Sequence, residues 1–186
     1  MTITKKTIFI IADHGLAIIY FLQSRVVSRL IEQGVRVVLL TQDELVDQIR
    51  VRFSQPGLIV EGSRYDRCEQ FSKKYLSSIQ WWLNFLRRVG TSNQINTEAM
   101  DSYIRQVGFE ARGRQKRLFP LMMKVVKRLR HSKSMRQLLV KLQMLFTTDI
   151  YGDLFEKYQP EMVVSSTYGW QNDRYILREA HKHGIL

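Results

Sequence analysis

Two β-rich runs, residues 7–12 (TIFIIA) and 35–40 (VRVVLL), flank a segment of helical periodicity. A strand with one face in water alternates apolar and polar residues. A parallel strand covered on both faces reads instead as a nearly continuous apolar run. Both runs are of the second kind, and parallel neighbours need a crossover between them. The intervening residues supply one. Leu22, Val26, Val27, Leu30 and Ile31 recur at helical spacing, Gln23, Arg25, Arg29 and Glu32 occupy the other face, and Gly34 stands where a helix C-cap belongs.

The pattern then repeats. Residues 44–53 predict a second helix, Pro56 and Gly57 a turn, and residues 58–60 a third short strand. This β-α-β-α-β order predicts an α/β fold, a Rossmann-like parallel sheet with covering helices. Residues from about 65 to 147 read as a long helical insertion between the third and fourth strands of a single domain spanning 1–186. Within it, Ile95-Asn96-Thr97 predicts the start of a helix over 98–107, and Pro120 the first turn of another. A helix over 148–157, stopped by Pro160, precedes a strand at 162–164 and a last helix over 173–182. Gly184 closes that helix, and Ile185-Leu186 stand where a doubly wound fold would begin another strand.

Composition narrows the setting. The only cysteine, Cys68, cannot form an internal disulfide and fits a reducing, cytoplasmic compartment. The apolar run after Lys5 and Lys6 ends at Asp13 and His14, too early for a secretory signal, and no stretch approaches the roughly 20 apolar residues of a spanning helix. Charge is distributed unevenly. The net charge is +12, and between Glu110 and Asp149 there is no acidic residue but 11 of the 29 basic ones, leaving 18 against 17 acids elsewhere. The basic character therefore belongs to one segment.

Two stretches, residues 7–41 and residues 154–185 (LFEKYQPEMVVSSTYGWQNDRYILREAHKHGI), together resemble the N-terminal domains of glycosyltransferases built from two Rossmann domains, the GT-B architecture. The nearest likeness is to bacterial enzymes of surface-polysaccharide and lipid-linked sugar assembly. It covers about one third of the chain, and the helical middle has no counterpart. The resemblance implies an acceptor-binding half that takes its sugar acceptor to a nucleotide-sugar donor held by a missing C-terminal domain or a partner chain. It implies that this chain alone is inactive. The family's Gly-rich loop after the first strand is reduced here to Gly15.

Several residues follow as candidates. Open α/β sheets bind ligands at the carboxyl ends of their strands. His14 stands there as a candidate general base, because imidazole titrates near neutral pH, with Asp13 as the fallback. Capping of the following helix is the alternative role for His14. Gly15, Ser165, Ser166, Thr167, Gly169, Asp173 and Arg174 form the expected acceptor- or phosphate-binding set, hydroxyls and a turn leading into a helix N-terminus. Ordinary turn and capping chemistry is the alternative, and Trp170 suits either sugar stacking or core packing. Arg64, after the third strand, is a further phosphate candidate, with Ser63 beside it on the same edge.

The basic segment has two amphipathic patterns. Leu118, Met122, Val125, Val126 and Leu129 share one face of the first, and Met135, Leu138, Leu139, Leu142 and Leu145 recur in the second. Arg117, Lys124, Lys127, Arg128, Arg130, Lys133, Arg136 and Lys141 surround them as an expected membrane-surface patch, peripheral on the inner face of an anionic membrane. A solvated cationic face and a nucleic-acid site are the alternatives. A basic Rossmann-like module that binds nucleic acid, or serves as an oligomeric adaptor, is the corresponding non-enzymatic reading. Trp81, Trp82, Phe85 and Leu86 predict a core or an interface. His181 and His183, two residues apart with no carboxylate cluster, give no expectation of a metal site.

Overall fold

A computed structural model describes residues 6–12, 14–89, 104–106, 108–109, 113–166 and 173–185. These fall into two compact units, a sheet unit (Met1–Lys74 with Thr147–Leu186) and a helical unit (Tyr75–Phe146).

The sheet unit is α/β and Rossmann-like. Strands β1 (Thr7–Ile11), β2 (Arg36–Thr41), β3 (Leu58–Gly62) and β4 (Met162–Ser165) form one parallel sheet in the order β3-β2-β1-β4. Successive side chains of β1 point to opposite faces. Phe9 and Ile11 therefore join one buried cluster, with Val38, Leu40, Tyr151, Leu154, Phe155 and Ile176. Ile10 and Ala12 join the other, with Ala17, Val27, Val37, Leu39 and Ile49. Helices α1 (Gly15–Ile18), α2 (Val26–Glu32) and α3 (Val46–Arg52) supply the second cluster. Helices α4 (Tyr65–Lys74), α8 (Gly152–Tyr158) and α9 (Asp173–Lys182) supply the first. Continuous apolar strands are thus explained by helices on both faces.

Some elements depart from the sequence expectation, each for an identifiable reason. The first crossover is not one helix. After α1 the chain forms a π-helical turn over Ile19–Gln23, and Ser24 is extended before α2 begins. The Ser24 hydroxyl donates to the Tyr20 carbonyl and accepts from Val26 N at 3.4 Å, a side-chain alternative to the helical ladder. Helix α8 starts at Gly152 rather than residue 148, because Thr148, Ile150 and Tyr151 direct their donors to the buried Glu179 carboxylate. Between β3 and β4 the chain turns helical at Tyr65, as expected; Cys68 and Phe71 of this first helix, α4, pack on the sheet, and the separate helical unit begins at Tyr75.

The helical unit contains α5 (Ser77–Val89), α6 (Arg114–His131) and α7 (Lys133–Met144). Phe85, Leu86, Val126, Leu129 and Leu139 form its buried core, with Trp81, Trp82, Phe119 and Met122 packed against them. Trp81 stacks on Phe85 with ring centroids 5.6 Å apart. Pro120 lies inside α6 and not in its first turn. A proline there leaves the carbonyl four residues earlier, that of Lys116, without a helical donor. Both Lys116 and Pro120 are exposed, so water can serve that carbonyl. The expected helix over 98–107 lies mostly outside the described residues, of which 104–106 are helical.

Burial of Cys68 pushes its thiol up to about 11, and Tyr151 Oη lies 3.3 Å from its sulfur. At pH 8 a thiolate reagent is therefore expected to leave native Cys68 unlabelled for as long as the sheet unit stays closed, and to react at once in denaturant. Stopped-flow labelling with a chromogenic disulfide checks this. Rapid reaction of the native protein would show that α4 does not stay packed on the sheet.

Candidate functional site

The order of strands places a switch point beside β1. The chain builds outward from β1 to β2 and β3, then returns to add β4 on the other side. Register pairs Ile11 with Ser165, so the segments leaving β1 and β4 emerge next to each other at the carboxyl edge. Crevices of this kind are where open α/β sheets take ligands.

His14 follows β1 and occupies the N-cap position of α1 in extended conformation (φ −142°, ψ 157°). Its carbonyl accepts from Ile18 N at 3.1 Å, while its side chain makes no capping bond. A Cβ on Gly15 would meet nothing within 4 Å, so the backbone beside His14 borders open space. Leu16, Ile19 and Tyr20 continue from this loop as exposed apolar residues. The hydrophobic pattern alone did not single them out, because it cannot tell an exposed apolar face from a buried one.

On the β4 side, Ser165 ends the strand and its hydroxyl donates to the carboxylate of Asp173, the first residue of α9. Asp173 is fully buried. The pair fastens β4 to α9, and its carboxylate favours hydroxyl groups over phosphate as neighbours. The Ser166 hydroxyl is buried and has no hydrogen-bond partner among the described residues, as do the hydroxyls of Thr41 at the end of β2 and Ser63 after β3. Buried polar atoms are nearly always bonded, so three such hydroxyls along one sheet edge are unusual. The guanidinium of Arg174 lies 5.4 Å from the Tyr175 ring centroid. Asp13, Thr167, Gly169 and Trp170 lie outside the described residues.

Arg64, the further phosphate candidate, is engaged by protein partners. It adopts φ 55°, and its guanidinium bonds the Ile150 carbonyl and both oxygens of Asp153. It thereby clamps the loop after β3 to the start of α8. Asp43 caps α4 from a distance, accepting from Arg64 N at 3.2 Å and Tyr65 N at 3.0 Å. Tyr151 Oη donates to the Ser63 carbonyl at 2.6 Å. Glu179 receives Thr148 Oγ1 and the amides of Ile150 and Tyr151, the last two at 2.8 Å. Sequence spacing offers no sign of these partners.

Two carboxylates in this framework are held below their usual range. The Arg64 hydrogen bond does so for Asp153. Burial works to raise Glu61, but hydrogen bonds from Tyr158 and Lys157 and the charges of Lys157 and Arg50 outweigh it. A carboxylate with a folded-state pKa below its unfolded value contributes stability that is present above about pH 4 and lost as the pH falls through the folded pKa. The urea midpoint is therefore expected to fall on acidification below about pH 4. The Glu61→Gln, Asp153→Asn double variant should show a shallower fall. An equally steep one would remove these groups as its cause.

In the helical unit, Arg117, Lys124, Arg128, Lys133 and Lys141 are exposed. Arg136 is half-buried and donates to the Leu129 carbonyl at 3.1 Å, closing the end of α6. The side chains of Lys127 and Arg130 lie outside the described part. Val126, Leu129 and Leu139 are buried as their spacing predicts, but Leu118, Met135, Leu138 and Leu145 are exposed. Among the described residues no three His, Cys, Asp or Glu side chains gather as a metal site, and no helix is long and apolar enough to cross a membrane. No family model, no curated protein and no solved structure matches this chain.

Proposed function

We propose that the sheet unit is the acceptor-binding part of a glycosyltransferase that moves a sugar from a nucleotide-sugar to a lipid- or polysaccharide-linked acceptor. What supports this reading is the strand register that brings the segments leaving β1 and β4 side by side, with His14 following β1 and, on the β4 side, the Ser165–Asp173 pair and a buried Ser166 hydroxyl that has no partner among the described residues. Ser166 offers both a donor and an acceptor to a sugar hydroxyl. His14 takes the proton of the attacking acceptor hydroxyl while that oxygen bonds to the anomeric carbon and the nucleotide diphosphate leaves with the electrons of the broken bond. Exposed Leu16, Ile19 and Tyr20 suit an apolar portion of the acceptor. The donor belongs to a second domain or a partner chain.

Calorimetric and NMR titration of the chain tests the reading. An acceptor-type oligosaccharide is expected to shift resonances of His14 and Ser166, and His14→Ala is expected to weaken binding about tenfold, the worth of one good hydrogen bond. Nucleotide sugars are expected not to bind the chain alone. Tight nucleotide-sugar binding, or oligosaccharide binding indifferent to His14→Ala and Ser166→Ala, would overturn it.

A further inference from the structure

Residues three and four apart along a helix place their side chains on one stripe. On α6, Arg117, Leu121, Lys124 and Arg128 follow that spacing and are all exposed, with Leu121 at 55%. The opposite side of the same helix carries the buried Val126 and Leu129. The register of α7 continues through its C-cap Leu145, and Ser134, Leu138, Lys141 and Leu145 form a second exposed stripe, with Leu138 at 54% and Leu145 at 74%. Leu139 and Gln143 are the buried residues of that helix. Each helix thus buries one face inside the unit and presents leucine set among cations to water on the other.

No acid lies between Glu110 and Asp149 to neutralise these stripes. We infer that they form a docking surface for an anionic lipid bilayer. Arg117, Lys124, Arg128 and Lys141 meet the headgroup phosphates, and Leu121, Leu138 and Leu145 enter the boundary between headgroups and acyl chains. Charge complementarity identifies the occupant and the leucines decide its kind. A nucleic-acid site wants cations for phosphates and broad aromatic faces for bases, and the two stripes contain no Phe, Tyr or Trp. Leucines set between cations have no use against a sugar-phosphate backbone, but a bilayer takes both. A protein interface core, in turn, is depleted of lysine. The inference does not rest on the transferase reading, and oligosaccharide titration and vesicle binding fail or succeed separately.

Flotation with the full chain tests it, using vesicles of phosphatidylglycerol and phosphatidylcholine against vesicles of phosphatidylcholine alone. Binding is expected only to the anionic vesicles and is expected to weaken as salt rises. Each charge removed in Arg117→Gln, Lys124→Gln and Arg128→Gln should weaken partition about fivefold. The triple variant Leu121→Ser, Leu138→Ser, Leu145→Ser should lose most of the binding while its circular dichroism and melting curve stay unchanged. The inference is overturned by absent vesicle binding at low salt, by retention on DNA or RNA without vesicle binding, or by vesicle binding that survives the serine variant.

Discussion

Replacing Glu179 with alanine is expected to lower the stability of the sheet unit by about 3–5 kcal/mol, the range in which a buried hydrogen-bonding network is broken. The carboxylate is buried on α9 and serves three donors from the segment that opens α8. Removing it leaves two backbone amides and a threonine hydroxyl with no acceptor, and each unsatisfied buried donor costs about 1–3 kcal/mol. Relaxation and water penetration keep the total below the simple sum. Glutamine keeps the shape but turns an amide group toward a donor, so Glu179→Gln is expected to cost about half as much, still above 1 kcal/mol. Urea unfolding of the three proteins at pH 7 checks the order. An alanine variant within about 0.5 kcal/mol of the parent, the usual range of surface substitutions, would show that the network does not brace the fold.

The second large effect is at Arg64, where two contributions oppose each other. Its guanidinium, mostly buried, carries charge-assisted bonds to the Ile150 carbonyl and to an Asp153 that is largely exposed. The carbonyl bond has little competition from water, whereas the ion pair is screened. Arg64→Ala is expected to cost about 2–3 kcal/mol. At φ 55° its backbone is in the left-handed region, where a Cβ is disfavoured by about 1 kcal/mol. Arg64→Gly loses the same bonds but relieves that strain, so it should be the milder substitution by up to about 1 kcal/mol, less the extra entropy of glycine in the unfolded chain. If alanine proves no worse than glycine, the left-handed backbone is not what the arginine clamp maintains.

The arrangement at Arg64 also shows where the sequence was legible and where it was not. Buried parallel strands are readable because both faces impose the same demand, and residues 8–12 and 37–40 satisfy it without interruption. The last helix, Asp173–Lys182, has clear signals at both ends, an acid at its start and Gly184 after it. By contrast, Glu179 and Arg64 are charged residues on segments that look solvent-facing, and their partners lie far away in sequence. No local period encodes such a partner. The first crossover reads as one amphipathic helix because its break comes from one serine hydroxyl competing with the backbone ladder. At the switch point, the positions of His14 and Ser165 followed from strand ends, but the use of the Ser165 hydroxyl on Asp173 needed three-dimensional register. In the basic helices the spacing identified an apolar face correctly at Val126, Leu129 and Leu139, yet it could not distinguish these from the leucines left in water.

The position of β4 has a kinetic consequence. Strands β1, β2 and β3 follow one another closely along the chain, so their pairings close short loops and can form early. Ile8 meets Met162 only after the whole helical unit has been traversed, and loops that long close late because their ends must be brought together before any contact rewards them. Loop closure therefore predicts that the switch point is the last part of the sheet to assemble. Until that step three of the four strands can pair, one flank of β1 has no neighbour, and there is no crevice. Shortening the connection between Lys74 and Thr147 would speed the closing step without touching a single strand residue.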